Sequence, residues 1–358
     1  MFCSVAMSTY NGERFLAEQL SSICAQTRPV DEIVVSDDGS SDGTLRILDD
    51  FRLAHPQIHW KILPSAENHG FRESFLRALK ACGGDLIFLC DQDDRWAPGK
   101  VETMLRHFEA NPAMLSLISD FKTIDADGNL LNPNAPTENL WVSDRVLRAP
   151  ASPTQITLSE MLGRNQGQGC AMAVRRALAQ EYIRLNQLWT HDWILNLLAA
   201  LHGGLYYCRE PLLFYRLHGS NVIGMAQGEH AQRHIPCIRK PYALALAFKY
   251  SFLEGNPAAS RRELISIPLA TYESVFEKTA CKETERLQRD TWKALQTKRL
   301  RLIEQRRPLS YLAFFLTHRA FFKDIAYFST FEQFAIRLMI DLCAMRLSLI
   351  HISEPTRH

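Results

Sequence analysis

Leu86-Ile87-Phe88-Leu89-Cys90-Asp91-Gln92-Asp93-Asp94 is an apolar pentapeptide followed at once by three carboxylates in four residues. A short continuous apolar run reads as a strand buried on both faces, as in a parallel sheet. The acidic group then stands at the strand's carboxyl end, where open α/β sheets place their ligands. Like charges packed this closely repel one another. A divalent cation holding a diphosphate would compensate them, because Mg2+ is commonly held by one or two carboxylates together with substrate phosphates. A solvated acidic turn is the competing reading of the same residues.

Outward from this stretch, strand-like and helix-like segments alternate. Ser4–Met7 is short and apolar, and Glu13–Ala25 carries Phe15, Leu16, Leu20, Ile23 and Cys24 at helical spacing. Glu32–Ser36 is β-branched and strand-like, and Asp42 is placed to cap a second helix over Leu45, Leu48 and Phe51. Ile58–Leu63 predicts a strand, Phe71–Ala81 a helix and Pro98–Asn111 another helix, with Leu115–Ser119 and Asp120–Ile124 extended after it. Residues 132–160, rich in Pro, Asn and Ser, read as a loop or flap over the site. Ala171–Val174 predicts a strand, Arg175–Leu185 and Asp192–His202 helices, and Leu205–Cys208 and Leu212–His218 two further extended segments. Repeated β-α-β of this kind predicts an α/β fold, a mostly parallel sheet with helices on both faces. After about Gly228 the pattern changes to basic amphipathic helices, notably over 272–306.

Composition sets outer bounds. The chain has 358 residues, 46% apolar and 22% charged, which is globular. Its net charge of +2 is unevenly spread: residues 1–230 carry 20 Lys/Arg against 27 Asp/Glu, and residues 231–310 carry 16 against 8. Nine cysteines at scattered positions with no C-x-x-C suggest reduced structural thiols in a cytosolic protein, and zinc is not expected. No signal peptide precedes the first strand, and no apolar stretch reaches the roughly 20 residues of a membrane span. Three segments follow: a catalytic domain over 1–228, a basic helical region over 229–346, and a tail over 347–358. That tail, Leu347-Ser348-Leu349-Ile350-His351-Ile352-Ser353-Glu354-Pro355-Thr356-Arg357-His358, resembles one reading frame of a transposase adapter used in sequencing libraries. It is expected to be foreign, with the natural C-terminus beyond residue 346 missing. Lys298, Arg299, Arg301, Arg306 and Arg307 stand just before the aromatic stretch Tyr311–Phe315. Basic residues beside apolar aromatics suit an anionic membrane surface, and a helical cap packed on the catalytic domain is the other reading.

Two more strand ends carry polar groups. Asp37-Asp38-Gly39-Ser40 closes the second strand, and its carboxylates could accept a hydrogen bond from a base N–H or a ribose hydroxyl. Ser8-Thr9-Tyr10-Asn11-Gly12 follows the first strand with hydroxyls and a ring suited to stacking on a base. Three such ends at one crevice argue more strongly for a site than any one alone. Asp192 opens a helix, where Asp is often only a cap. Arg216 and His218 alternate on one strand, placed either to reach a diphosphate or to lie at the surface. Gly167-Gln168-Gly169 is a weak hint of a dinucleotide loop.

In this order and spacing the motifs resemble the family 2 glycosyltransferases of the GT-A (nucleotide-diphospho-sugar transferase) fold. The resemblance rests on Ser8–Gly12, Asp37–Ser40 and Asp91-Gln92-Asp93-Asp94-Arg95-Trp96, and continues with Asn68-His69-Gly70-Phe71, Gly169-Cys170-Ala171-Met172, His191-Asp192-Trp193 and Tyr215–Asn221. The Asp-Gln-Asp-Asp-x-Trp form is similar to the branch that includes rhamnosyltransferases of surface-polysaccharide assembly. The resemblance implies an inverting transfer from a UDP- or dTDP-linked sugar, dTDP-rhamnose among them, to a polysaccharide or lipid-linked acceptor. It places Ser8, Tyr10, Asp38, Asp91 and Arg216 on the donor. It places Asp93, Asp94 and His218 on a divalent cation, Mg2+ or Mn2+, and makes Asp192 the catalytic base. It implies a cytoplasmic enzyme, working at the inner face of the membrane where its acceptor is lipid-linked, with no nucleic acid as partner. Two alternatives stay open: a sugar-1-phosphate nucleotidyltransferase, and a catalytically dead homologue serving as a binding subunit.

Overall fold

In a computed structural model of the chain, residues 1–135, 139, 142–163, 165–185, 190–218, 275–279, 282–305 and 307–318 are described. Met1–Met161 and Asn165–Gln227 form one compact unit, and Leu162–Arg164 with Gly228–His358 a second. The tail over 347–358 lies outside the described residues, as do residues 229–274, 319–346 and Arg306 of the predicted basic region.

The first unit is built on a single sheet. Its centre is the four apolar segments expected from the sequence: β1 (Cys3–Thr9), β2 (Glu32–Asp37), β3 (His59–Pro64) and β4 (Leu86–Cys90). Every residue of β2 and β4 is buried, because helices cover both faces of a parallel sheet. β5 (Arg95–Trp96), β6 (Ser116–Ile124), β7 (Thr154–Gln155), β8 (Met172–Arg175) and β9 (Leu205–Arg216) complete nine strands. The order is β3-β2-β1-β4-β8-β6-β9-β5, with β7 on β9. β1 to β4 are mutually parallel, β8 enters antiparallel between β4 and β6, and β9 runs parallel to β6. The two extended segments predicted at 115–124 are one strand, β6. Those predicted at 205–218 are likewise one strand, β9, interrupted by a bulge that pairs Ser119 with Cys208 and Asp120 with Pro211.

Helices α1 (Glu13–Cys24), α2 (Thr44–Ala54), α3 (Phe71–Ala81) and α4 (Lys100–Ala110) connect the early strands. α1 turns Phe15, Leu16, Leu20 and Ile23 inward, the apolar stripe that its spacing predicts. The 132–160 region contains the short helix α5 (Asp144–Leu147) and runs into α6 (Leu158–Gly163). α7 (Arg176–Leu185) and α8 (His191–Leu201) pack with α3, and α8 is buried from Ile194 to Leu201. In the second unit α9 (Glu283–Glu304) packs on α10 (Pro308–Thr317). On α10 Tyr311, Phe314 and Phe315 are buried, while Leu309 and Leu316 are exposed. Tyr311 packs against both Phe314 and Phe315, with ring centroids 6.4 and 6.1 Å apart. Among the described residues no helix is long and apolar enough to cross a membrane.

One carboxylate ties the amino edge of the sheet. Glu32, 1% exposed, opens β2 and accepts from the Ser4 hydroxyl on β1, from the Gly83 N–H before β4 at 2.7 Å, and from Lys61 Nζ on β3 at 2.7 Å. Burial works against its charge, but these donors outweigh burial and hold its pKa below the usual carboxylate value. A depressed folded pKa contributes stability that is present above the unfolded pKa and is lost as pH falls through the folded one. Replacing Glu32 with Gln should cost about 1.5–3 kcal/mol at pH 7, the range for hydrogen bonds to charged groups. Urea titrations should show the difference from wild type shrinking below about pH 4, where the wild-type carboxylate also protonates.

Candidate active site

The parallel register sets Thr9 beside Asp37 and Met7 beside Cys90, so the turns after β1, β2 and β4 open side by side. Gln92 joins two of them. Its amide accepts from the Tyr10 N–H at 2.8 Å and donates to the Tyr10 carbonyl at 3.0 Å, pairing with that backbone as a neighbouring strand would. Gly12 makes room for that amide: a Cβ would lie 2.2 Å from Gln92 Oε1 and push it off the Tyr10 backbone. The hinge of the turn is Asn11, with φ at 45°, a left-handed conformation that Asn tolerates. Ser40 Oγ accepts from the Asn11 N–H, and Asn11 Oδ1 accepts from the Ser41 N–H. The result leaves the Tyr10 ring 46% exposed at the mouth of the crevice. Ser8, near the end of β1, pairs in register with Ser36.

The two aspartates after β2 turn inward. Asp37 accepts from the Ser40 N–H and hydroxyl and from the Thr9 hydroxyl, closing its own turn. Asp38, 2% exposed, accepts from the His69 N–H at 2.9 Å and the Gly70 N–H at 2.8 Å. Its carboxylate thus anchors the loop before α3, and a nucleotide base would have to share oxygens already in use. Asp42 is a turn cap, its carboxylate taking the Thr44 and Glu13 N–H groups.

The acidic turn after β4 is different in kind. Asp91, Asp94 and Cys170 each place one donor atom within 4.8 Å of the other two. Burial, then the charges of Asp93 and Asp192, push the Asp91 carboxyl up to about 7. Burial, then Asp93 and Asp91, push Asp94 well above the ordinary range. Asp94 Oδ1 accepts from the Arg216 N–H at 3.0 Å, while the buried Oδ2 has no hydrogen-bond partner. Asp93 also meets a ring: its Oδ2 is 2.9 Å from His218 Nε2, whose ring lies tilted against Phe15 with centroids 4.6 Å apart. The turn is held in place by β5, whose Arg95 and Trp96 pair with Phe214 and Leu213 of β9.

Asp192 joins this group from 101 positions later in the chain. It stands in the first turn of α8, and its charge contributes to the raised pKa of Asp91. Its Cβ lies 3.6 Å from where a Cβ on Gly169 would be, next to Cys170. Asn165 Nδ2 donates to Asp192 Oδ2 at 2.9 Å, and Asn196 Nδ2 donates to Asn165 Oδ1 at 3.1 Å. Ser116 Oγ in turn donates to Asn196 Oδ1 at 3.2 Å. His191 packs its ring on Phe75 at 3.9 Å, and burial lowers its pKa. Gly167 and Gly169 are packing glycines, with Cβ positions 2.5 Å from Ile118 and 2.7 Å from His191, which accounts for the apparent dinucleotide loop.

Arg216 lies behind the acidic turn. It is 1% exposed, and its guanidinium donates to the carbonyls of Asp93, Asp125 and Ala126 and to Glu18. Those bonds brace the acidic turn against the 125–126 turn and Glu18. The cation that does lie beneath the cluster was not foreseen. Lys100 is fully buried, donates to the Cys170 carbonyl at 2.7 Å, and sits 4.4 Å from the Trp96 ring centroid. Burial lowers its pKa. The available signal was its place at the start of a helix, where the macrodipole disfavours a cation unless acidic groups compensate it. Nothing in the local sequence pointed to Asn165 or Glu18.

Residues 4–182 match the family described as Glycosyl transferase family 2. The dTDP-rhamnosyl transferase RfbG of Shigella flexneri is 28% identical over 234 residues, covering 61% of this chain and 73% of that protein. An uncharacterized protein of Mycobacterium tuberculosis is 27% identical over 222 residues, covering 61% of this chain and 60% of its own length. The chain thus spans about 60% of the mycobacterial relatives it matches. Among solved structures, residues 1–349 of TarS from S. aureus superpose with a TM-score of 0.54 at 15% identity, over 100% of this chain and 93% of that one. That likeness shows the GT-A fold, and the match over 4–182, which takes in all three acidic and polar turns, shows that the chain belongs to glycosyl transferase family 2.

Proposed function

We propose that the chain transfers a sugar from a nucleotide-sugar donor, UDP- or dTDP-linked, to a hydroxyl of a surface polysaccharide or its lipid-linked precursor, inverting the anomeric centre. One observation carries the reading: Asp192 closes onto the acidic turn from the far side of the chain, so a candidate base and a candidate diphosphate site share one crevice. Tyr10 and Ser8 stand where a base and ribose would enter, and Asp38 shapes that pocket through the loop before α3. The similarity to a rhamnosyl transferase favours a dTDP-linked donor. A nucleotidyltransferase would need a basic phosphate loop after β1. Here Glu13 accepts from the Gly43 N–H and Arg14 lies over the Phe15 ring.

The residues present fit a hard divalent cation, Mg2+ or Mn2+. Asp93 Oδ2 and His218 Nε2 already converge, and the same turn holds the partnerless Asp94 Oδ2. When bound, such a cation offsets the charge of the departing nucleoside diphosphate. Asp192 accepts the proton of the attacking hydroxyl through the oxygen not engaged by Asn165, or shares that oxygen. The amide chain from Ser116 through Asn196 and Asn165 holds the carboxylate in one orientation.

Asp93→Ala should weaken Mn2+-dependent donor binding by about tenfold or more, measured by calorimetry with UDP- and dTDP-sugars. Asp192→Asn should bind donor within a few-fold of wild type and lose about 10²–10⁴-fold in transfer rate. Full transfer by that variant would reduce Asp192 to a helix cap.

The Asp91 shift gives a pH dependence of opposite sign to that of Glu32. Its folded pKa of about 7 stands above the unaltered value of 3.8. The metal-free fold therefore holds its full contribution below about pH 4 and loses it as pH rises to about 7. Thermal melts without metal should show wild type losing stability relative to Asp91→Asn across that window. Because an ionised Asp91 adds negative charge beside the cation's ligands, Mn2+ affinity should rise with pH and level off above about pH 7.

A further inference from the structure

A second set of metal-ligand types meets away from the acidic turn. His107, in the last turn of α4, faces Cys208 and Glu210 of β9, and one donor atom from each lies within 4.8 Å of the other two. His107 Nε2 and Glu210 Oε1 are 4.0 Å apart, too far for a hydrogen bond. His107 Nε2 and Glu210 Oε2 are both buried atoms with no hydrogen-bond partner. Leaving such atoms unpaired is costly unless something else satisfies them.

The backbone is shaped to bring them together. The register of β6 on β9 slips between Ser119 and Asp120, so Arg209 and Glu210 are extra residues on β9. A bulge of this kind re-aims side chains, and bulges recur beside functional sites. Cys208 is fully buried, the His107 side chain 16% exposed and the Glu210 side chain 45% exposed, so the group is closed on the strand side and open to solvent at Glu210.

We propose that His107, Cys208 and Glu210 form a binding site for a borderline-soft transition-metal ion, Zn2+ by its ligand preferences. One nitrogen, one sulfur and one carboxylate oxygen are a zinc donor set, with a solvent oxygen as fourth ligand. The thiol argues against Mg2+ and Ca2+, which take oxygen ligands. Tetrahedral zinc with bonds of about 2.0–2.3 Å sets its ligand atoms about 3.3–3.8 Å apart. The present separations close to that by side-chain rotation of about 1 Å. The ion clamps the last turn of α4 to the β9 bulge. Lys100 lies seven residues earlier on α4, two turns away on the same face, so the clamp also fixes the helix that carries the buried cation of the acidic turn. The sequence offered no C-x-x-C, and this set needs none, since its members are drawn from positions a hundred residues apart.

Cobalt(II) is the probe. The full chain, stripped with chelator, should take up Co2+ with a near-ultraviolet thiolate-to-cobalt charge-transfer band and the visible bands of a four-coordinate ion, and Zn2+ should displace it. Cys208→Ser should abolish the charge-transfer band. His107→Gln and Glu210→Gln should each weaken Co2+ binding by about tenfold or more. Zn2+ should raise the melting temperature of wild type and not of Glu210→Gln, a near-isosteric change at a half-exposed side chain. Asp93→Ala should keep the band, which separates this site from the acidic turn. Absence of the band in wild type, its survival in Cys208→Ser, or its loss in Cys170→Ser alone would overturn the assignment.

Discussion

Unbalanced negative charge at the carboxyl edge of a parallel sheet is the constraint around which the first unit is arranged. Asp91, Asp93, Asp94 and Asp192 stand close enough that their charges and burial raise the pKa of two of them. The compensation inside the protein is partial. Lys100 lies beneath, the Arg216 N–H meets Asp94, and His218 meets Asp93. The Arg216 guanidinium, which could have neutralised the turn, is drawn instead to backbone carbonyls and Glu18. What is left over is a turn whose Asp91 and Asp94 carboxyls are held above the ordinary carboxylate range.

The opposite edge of the same sheet shows what full compensation looks like. Glu32 is as buried as Asp94, yet a hydroxyl, an N–H and an ammonium group surround it, and its pKa falls. Burial opposes the charged form in both places. The neighbours differ: Glu32 meets donors and the Lys61 ammonium, while Asp94 meets the charges of Asp93 and Asp91. One edge uses a carboxylate to join four strands, and the other keeps carboxylates short of partners. Perturbed groups gathered in a crevice mark function more often than packing.

Much of the frame was legible from local pattern. Leu86–Cys90 and Phe71–Ala81 have the predicted bounds, and α1, β2 and α7 differ from them by one residue at an end. Apolar periodicity is a property of neighbouring residues, and burial on a sheet enforces it. The three turns at the carboxyl edge were legible for the same reason, since strand direction fixes where each ends. The orientation of the side chains within those turns was not. Asp37 and Asp38 look alike in the sequence, but one closes its own turn and the other anchors the loop at His69 and Gly70. Arg216 and His218 were expected to share one strand, but β9 ends at Arg216, which is buried as a brace, and His218 beyond it meets Asp93.

The sequence by itself determined the β-α-β order, the acidic turn at a strand's end and the family to which those motifs belong. The tertiary structure alone decided which carboxylates are compensated. Asp192 reaches Asp91, Lys100 reaches Cys170, and His107 reaches Glu210 across spans of about seventy to a hundred residues. The physical reason is that secondary structure follows from steric and apolar patterns within a few residues. The charge state of a buried group follows from the donors and charges that packing brings within several ångströms, and no local pattern encodes those.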